Sequence, residues 1–260
     1  MQLLNTSTAP VRQLRNNGMR PSSVGQVVKA FNTWSFKREQ PSDLQRLSSV
    51  VEAAVNRNEP IKFVLYWGKG PRSEPRLPET LCLQFLKDFG NRIRAAHPAG
   101  AQLMLILTDT HARLNQHPEP EINRYFCAMG SLAQQYGFES CRLGELVIRT
   151  CAHEAEGDGV TPEPEVLHSL TKSAMKWYGG TLSPEAAAAQ YFAMNMIEKR
   201  AVAHEFPESI FITFNNSKVR SLFPDTLPIF YMYSIKKGVA IKPWFMSGVD
   251  GEDNNLNSES

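Results

Sequence analysis

Residues 61–76, IKFVLYWGKGPRSEPR, decide the fold class that the sequence predicts. The first seven of these residues are apolar or favour β-structure, with Lys62 as the exception, so they predict a buried central strand. Gly68, Gly70 and Pro71 cannot continue that strand, and the chain is predicted to turn there before a helix begins near residue 78. A strand that leads through a turn into a helix is the repeating unit of an α/β sheet.

Three basic residues lie in and just after this turn, at Lys69, Arg72 and Arg76. In open α/β sheets, ligands bind where the carboxyl ends of strands open into loops that precede helices. A lysine between two glycines also offers an ammonium group and backbone N–H groups to an anion. We therefore predict that these residues hold a substrate; the alternative is a solvated lysine in an ordinary turn.

A second strand is predicted over residues 101–107, AQLMLIL, after a helix over residues 79–97. A strand, a helix and a strand with such short connections form a βαβ unit, so the two strands are predicted to be parallel neighbours. Asp109 and His111 follow the second strand and are therefore predicted at the same edge of the sheet as Lys69. Each is a candidate catalytic residue or metal ligand, or a simple turn former.

Later strands complete a Rossmann-like α/β fold. They are predicted over residues 209–214, 227–235 and 239–242, and the last two are close enough in sequence to form a hairpin. The central sheet is therefore predicted to be mostly parallel and flanked by helices, with the C-terminal hairpin making it mixed.

The chain of 260 residues is long enough to bury the core of one large domain. A single α/β catalytic domain is predicted over residues 22–246, with its best internal boundary near the polar, Gly/Pro-marked residues 154–165. An extended lead-in is predicted over residues 1–21, and a disordered tail over residues 247–260.

The composition argues against several function classes. With 28 basic and 26 acidic residues, the net charge of +2 is too small to indicate binding to nucleic acid or to a membrane surface. The four cysteines contain no CxxC pair, and no apolar run has the length of a signal peptide core or a transmembrane helix. The sequence therefore predicts a cytoplasmic protein with a small-molecule substrate, and it indicates no oligomeric state.

The common cofactor and metal motifs do not fit. A P-loop needs four residues between its glycines and a Ser or Thr after the lysine, which Gly68-Lys69-Gly70 lacks. No GxGxxG pattern follows either strand, which argues against a standard dinucleotide site. His111 and His117 are six residues apart, a spacing that fits no helical pair of metal ligands. We therefore predict neither a cofactor nor a metal.

Five further candidate substrate-binding residues lie later in the chain. Asn215, Asn216 and Lys218 follow another predicted strand, where polar side chains suit hydrogen bonds to a substrate. Arg200 either reaches an anionic substrate or favours the carboxyl end of its helix. Trp244 either packs in the core or forms one wall of a pocket.

Four short motifs resemble those of the pyoverdine/dityrosine biosynthesis family, the isocyanide (isonitrile) synthases. WGKG at 67–70 resembles that family's Pro-Cys-Lys-Ser-like loop, and TDT at 108–110 resembles its Ser-Asp-Gly. TFNN at 213–216 resembles its Ser-Ile-His-Pro pattern, and KPWF at 242–245 resembles its closing Thr-Pro-Trp-His. The order and the spacing of the motifs match over roughly residues 60–246.

This resemblance implies a Rossmann-like biosynthetic enzyme of natural product metabolism, a transferase or lyase that acts on the α-amine of an amino acid. It implies a pentulose phosphate as the carbon donor, with no metal or redox cofactor. It also implies that Lys69, Arg72 or Arg76 holds phosphate or carboxylate, and that Asp109 orients or deprotonates the amine. Formation of a Schiff base is the alternative role of Lys69.

Two other function classes remain open. The two histidines of the family's motifs are Asn215 and Phe245 here, which favours a non-catalytic small-molecule-binding protein on the same fold. A transferase that uses a nucleotide or S-adenosylmethionine would also suit a Rossmann-like sheet, although no glycine-rich loop follows the first strand. Since fold likeness alone does not settle function, a thermal-shift screen with such cofactors would separate the transferase from the others.

Overall fold

The computed structural model describes residues 23–68, 74–150 and 161–232, together with the backbone of residues 234–236 and 239–241. In this part of the chain, five parallel strands form the central sheet. In chain order they are β1 (Ile61–Trp67), β2 (Ala101–Leu107), β3 (Glu139–Arg142), β4 (Ile210–Thr213) and β5 (Ile229–Tyr231). Their order across the sheet is β3-β2-β1-β4-β5. The predicted parallel pairing of β1 with β2 is confirmed over all seven residues of each strand.

The helices surround this sheet and are named in chain order. They are α1 (Val24–Phe31), α2 (Leu44–Arg57), α3 (Leu77–Ala96), α4 (Asp109–Leu114), α5 (Glu119–Gln135), α6 (Leu143–Arg149), α7 (Pro164–Trp177) and α8 (Pro184–Glu205). A short 3-10 helix, Ser217–Leu222, follows β4. Three helices begin with an N-cap residue whose side chain accepts a hydrogen bond from a backbone N–H of the first turn. These residues are Ser23 for α1, Asp43 for α2 and Ser183 for α8.

Each face of the sheet packs against its own group of helices. Side chains alternate along β1, so Phe63, Leu65 and Trp67 enter one core while Val64 and Tyr66 enter the other. The first core joins α1, α2, α3 and α5, and the second joins α6, α7 and α8. Burial on both faces explains why β1 and β2 are nearly continuous apolar runs.

The prediction of a mixed sheet is wrong. β5 ends at Tyr231, and the next strand, β6 (Ser234–Lys236), does not pair with it. Instead, β6 pairs antiparallel with β7 (Val239–Ile241), so the predicted hairpin forms a separate two-stranded sheet. Within the described residues the five-stranded sheet is entirely parallel.

The physical reason for this difference is that another segment already covers the outer edge of β5. Residues 37–42 run along that edge: the N–H of Arg38 donates to the carbonyl of Tyr231 (2.7 Å), and the N–H of Ser42 donates to the carbonyl of Ile229 (3.0 Å). The Oγ of Ser42 accepts the N–H of Ile229 in return (2.9 Å). These bonds occupy backbone N–H and C=O groups on the outer edge of β5. A strand of the hairpin therefore cannot form a ladder of hydrogen bonds with β5 there.

The predicted lead-in (1–21), the predicted tail (247–260) and most of the predicted boundary (154–165) lie outside the described residues. Among the helices that are described, none is both long enough and apolar enough to cross a membrane.

The central position of β1 predicts a large cost for shortening one of its core side chains. Leu65 is fully buried, so Leu65→Ala should lower the free energy of unfolding by about 2–5 kcal/mol. The exposed Lys62 on the same strand provides the control, because Lys62→Ala removes no core contact. Urea denaturation of both variants measures the difference, and equal stabilities would contradict the assigned burial.

Candidate functional site

A cavity of about 360 Å³ lies beside the carboxyl end of β4. Helices α7 and α8 form one side of it, where Leu170, Ala174 and Trp177 make the wall largely apolar. The other side comes from the end of α4 and from the segment that follows β4. A cavity at the carboxyl end of a parallel strand is the position where open α/β sheets bind ligands.

The polar wall of this cavity carries a guanidinium and three side-chain amides, those of Arg38, Asn115, Asn215 and Asn216. The Arg38 side chain is about one-third exposed, and its Nη1 donates to the carbonyl of Phe214 (3.4 Å). Asn216 caps the 3-10 helix, since its Oδ1 accepts the N–H of Lys218 (3.2 Å). A cationic group and amides on one wall suit a ligand with a carboxylate and hydrogen-bonding groups.

A buried carboxylate lies behind the cavity, between α4 and α8. Glu198 is 1% exposed, and each of its oxygens receives a hydrogen bond from α4. Thr110 Oγ1 donates to Oε1 (2.5 Å), and Nε2 of His111 lies 2.8 Å from Oε2. An ionised carboxylate only accepts hydrogen bonds, so this contact places a hydrogen on Nε2 of His111.

Two tyrosines enclose the His111 imidazole. The ring of Tyr66 lies 6.0 Å from it and the ring of Tyr191 lies 5.0 Å from it, both edge to face. Burial, with a smaller contribution from the Glu198 charge, raises the pKa of Tyr66 well above its ordinary value and that of Tyr191 to about 12. Both phenols therefore stay protonated at neutral pH. Tyr191 also lines the cavity, so one side-chain layer separates the imidazole from it.

Asp109 lies at the predicted edge of the sheet but is engaged with other parts of the protein. Its Oδ1 accepts the N–H of Gly144 (2.9 Å), and its Oδ2 accepts Nη1 of Arg113 (2.7 Å). A Cβ at Gly144 would lie 3.0 Å from Oδ2, so only glycine lets the start of α6 approach this closely. Asp109 thus joins α4 to α6 and does not line the cavity that holds Asn215.

The remaining predicted site residues are dispersed. Asn215 and Asn216 line the cavity, whereas Lys218 is exposed on the 3-10 helix beyond it. Arg76 is exposed at the start of α3. Nε and Nη2 of Arg200 are buried without a hydrogen-bond partner among the described residues, and this side chain is not part of the cavity wall. Lys69, Arg72 and Trp244 lie outside the described residues.

Sequence reasoning missed four residues that lie around His111, one of which also lines the cavity: Tyr66, Thr110, Tyr191 and Glu198. A signal for two of them is present in α8: Tyr191 and Glu198 are seven residues apart and therefore lie on the same helix face. A glutamate on the face that carries buried Ala188 and Asn195 indicates a paired, buried carboxylate. In the described residues, no group of three or more His, Cys, Asp or Glu side chains is arranged to hold a metal ion.

Comparison with known proteins places this geometry in a known fold. No protein-family model matches the chain, and no curated protein matches its sequence. Among solved structures, the PvcA protein of Pseudomonas aeruginosa superposes with a TM-score of 0.57 at 17% identity, over 85% of this chain and 87% of PvcA. The chain has the fold of PvcA. The Rossmann-like α/β fold that the sequence resemblance implied is therefore confirmed.

The PvcA-like fold also resembles part of a tyrosyl-tRNA synthetase. The Pyrococcus horikoshii enzyme, solved as a complex with L-tyrosine, has a TM-score of 0.51 at 12% identity. The superposition covers 85% of this chain and 58% of the synthetase. Both neighbours therefore share the arrangement of sheet and helices described above.

The contacts of Asp109 predict that its substitution acts on stability. In Asp109→Asn, an amide NH₂ would face either the N–H of Gly144 or the guanidinium of Arg113, leaving a buried donor unsatisfied. We expect the free energy of unfolding to fall by about 1–3 kcal/mol. Glu119→Gln is the control, because it removes the exposed partner of the same arginine. Chemical denaturation that ranked the two variants as equally stable would assign Asp109 no structural role.

The raised pKa of Tyr191 predicts a change of stability at high pH. The unfolded chain loses this proton near pH 10.0 and the folded protein near pH 12, so folded-state stability falls as the pH rises between those values. Tyr191→Phe removes this titration. Its melting temperature should therefore fall less than that of the parent between pH of about 9 and about 11. Parallel curves for the two proteins would show that the phenol is not held in its protonated form.

Proposed function

We propose that this protein is a biosynthetic enzyme, and that it acts on the α-amine of an amino acid bound in the cavity beside β4. The observation that carries the proposal is the cavity itself. It lies at the carboxyl edge of a parallel sheet, with one polar wall and one largely apolar wall. Its volume of about 360 Å³ is in the range of small-molecule sites.

The two walls suit the two ends of an amino acid. In this proposal, the substrate carboxylate pairs with the Arg38 guanidinium, because charge-assisted bonds to arginine are the strongest that a carboxylate forms. The amides of Asn115 and Asn215 accept and donate hydrogen bonds near the α-carbon. The substrate side chain lies against Leu170 and Trp177 on α7. The fold shared with a synthetase that binds L-tyrosine supports an amino acid as the ligand.

The chemistry in this proposal is that of the isocyanide synthases, which the PvcA-like fold supports. An α-ammonium group must lose a proton before its nitrogen can attack a carbonyl, and the proposed acceptor is His111, which a water molecule links to the cavity past the Tyr191 ring. A pentulose phosphate supplies the carbon, and Lys69, Arg72 and Arg76 bind its phosphate. The reaction uses this phosphorylated co-substrate and no metal or redox cofactor.

A second candidate function is non-catalytic binding of the same class of ligand. Asn215 favours it, because an amide takes the position of a histidine in the family's motif and cannot transfer a proton at neutral pH. In that case the cavity binds the amino acid and no product forms.

Mass spectrometry of the purified protein incubated with amino acids, with and without pentulose phosphates, tests the proposal. A new product that requires both the protein and the phosphate supports the enzyme, and its mass identifies the reaction. Calorimetric binding of an amino acid without any product supports the binding protein. If no amino acid binds, the cavity has another ligand and the proposal is wrong.

Substitution of the polar wall should weaken binding without affecting folding. Asn215→Ala removes one amide from the cavity, and we expect an affinity for the amino acid about 3–10-fold lower, equivalent to one hydrogen bond. Lys218→Ala is the matched control, since Lys218 is exposed and outside the cavity. Calorimetry measures both variants, and equal affinities would exclude Asn215 from the binding site.

A further inference from the structure

The charge balance around Glu198 is unusual for the interior of a protein. The carboxylate is 1% exposed, and among the described residues the one basic side chain within ion-pair distance is that of His111. Removing a carboxylate from water costs several kcal/mol unless it is well paired. At this position on the buried face of α8, an apolar residue would avoid that cost. Packing between α4 and α8 therefore does not explain why a carboxylate occupies position 198.

The position of the pair relative to the cavity suggests what the charge does. The His111 side chain is 14% exposed, and two residues of the cavity wall contact His111: the Tyr191 ring packs on the imidazole, and Asn115 Nδ2 donates to the His111 carbonyl (3.0 Å). Nε2 of the imidazole faces Glu198. Nδ1 forms no hydrogen bond with any described residue, so it is the ring nitrogen that remains able to accept a proton.

We propose that Glu198 is the positioning residue of this site, and that it holds His111 in the Nε2–H tautomer so that Nδ1 accepts the proton of the substrate ammonium through one water molecule, across the side-chain layer formed by Tyr191. This inference rests on the proposed function. In the step, an N–H bond of the ammonium breaks and its electron pair stays on the amine nitrogen. The water takes up that proton and gives up one of its own, and an Nδ1–H bond forms. The imidazolium that results is stabilised by the carboxylate 2.8 Å from Nε2.

The surroundings of the pair support this assignment. Thr110 occupies the other oxygen of Glu198, which fixes the carboxylate and leaves one oxygen for the imidazole. The neighbouring phenols of Tyr66 and Tyr191 are held protonated, so neither adds a negative charge that would compete for the imidazolium. The described groups that face the imidazole from β1, α4 and α8 are therefore neutral, with Glu198 as the exception.

Glu198→Gln tests the proposal because it keeps the shape and removes the negative charge beside the imidazole. The amide satisfies both neighbours with its carbonyl toward Nε2–H and its NH₂ toward the Thr110 hydroxyl, so the variant isolates the effect of the charge. Nitrogen-15 NMR of the imidazoles, with His111 assigned from a His111→Gln sample, reports the tautomer without any substrate. We expect Nε2–H in the parent. Nδ1–H in the parent would overturn the proposal even if the variant did not fold.

Steady-state kinetics distinguish a role of Glu198 in positioning His111 from a role in stabilising the fold. We expect kcat of Glu198→Gln to fall by about 100-fold or more, with KM for the amino acid within about twofold. Glu205→Gln is the control: it removes a carboxylate from the same helix, where Glu205 pairs with Arg149 (2.6 Å). A change in KM alone, or equal loss in both variants, would overturn the proposal. Failure of the proposed function would show separately, as no calorimetric binding of amino acids to the parent, and the parent tautomer would still show whether Nε2, which faces Glu198, carries the hydrogen.

Discussion

The parallel pairing of β1 with β2 and β4 is the constraint on which the rest of the structure depends. Because parallel strands all end at one edge, the residues after β2 and β4 are brought together although about a hundred residues separate them in the chain. The crossover helices pack on both faces and leave this edge open. One pairing pattern therefore places both the cavity and the His111–Glu198 pair.

Helix α8 connects these two features. Its buried face runs from Ala188 and Tyr191 in the cavity wall to Glu198 beneath α4. The stripe is apolar apart from a few polar residues, and each of those forms a specific contact: Asn195 Nδ2 donates to the carbonyl of Tyr191, and Glu198 accepts from Thr110. A rigid helix thus fixes the distance between the wall that would contact a ligand and the carboxylate behind it. Motion of α8 would alter both together.

Much of this fold was predictable from local pattern. The runs 61–67 and 101–107 are apolar segments joined through one helix, which is the pattern of a βαβ unit, and their parallel pairing was predicted from it. The mixed sheet was predicted wrongly because hairpin spacing is a local signal. In the structure, residues 37–42 form hydrogen bonds along the edge of β5, and a local signal cannot reveal this because these residues lie far from β5 in the sequence.

The site was less predictable for the same reason. The strand-end rule led to Asn215 and Asn216, which line the cavity, and to Asp109, which follows the carboxyl end of β2. It could not show that the carboxylate of Asp109 turns toward Gly144, because that contact depends on how closely α6 approaches. The burial of Glu198 likewise depends on tertiary packing between α4 and α8, which no single segment encodes.

Residues 37–42 also decide how this sheet meets other molecules. An uncovered edge strand is a template on which another chain can add a strand, and it is a common origin of aggregation. Here the backbone N–H groups of Arg38 and Ser42 and the Ser42 hydroxyl form hydrogen bonds with the edge groups of β5, while the side chain of Arg38 lines the cavity. Protection against intermolecular strand addition and the shape of the cavity wall therefore depend on the same six residues. Any change that loosened this segment would expose the edge of β5 and alter the cavity wall at once.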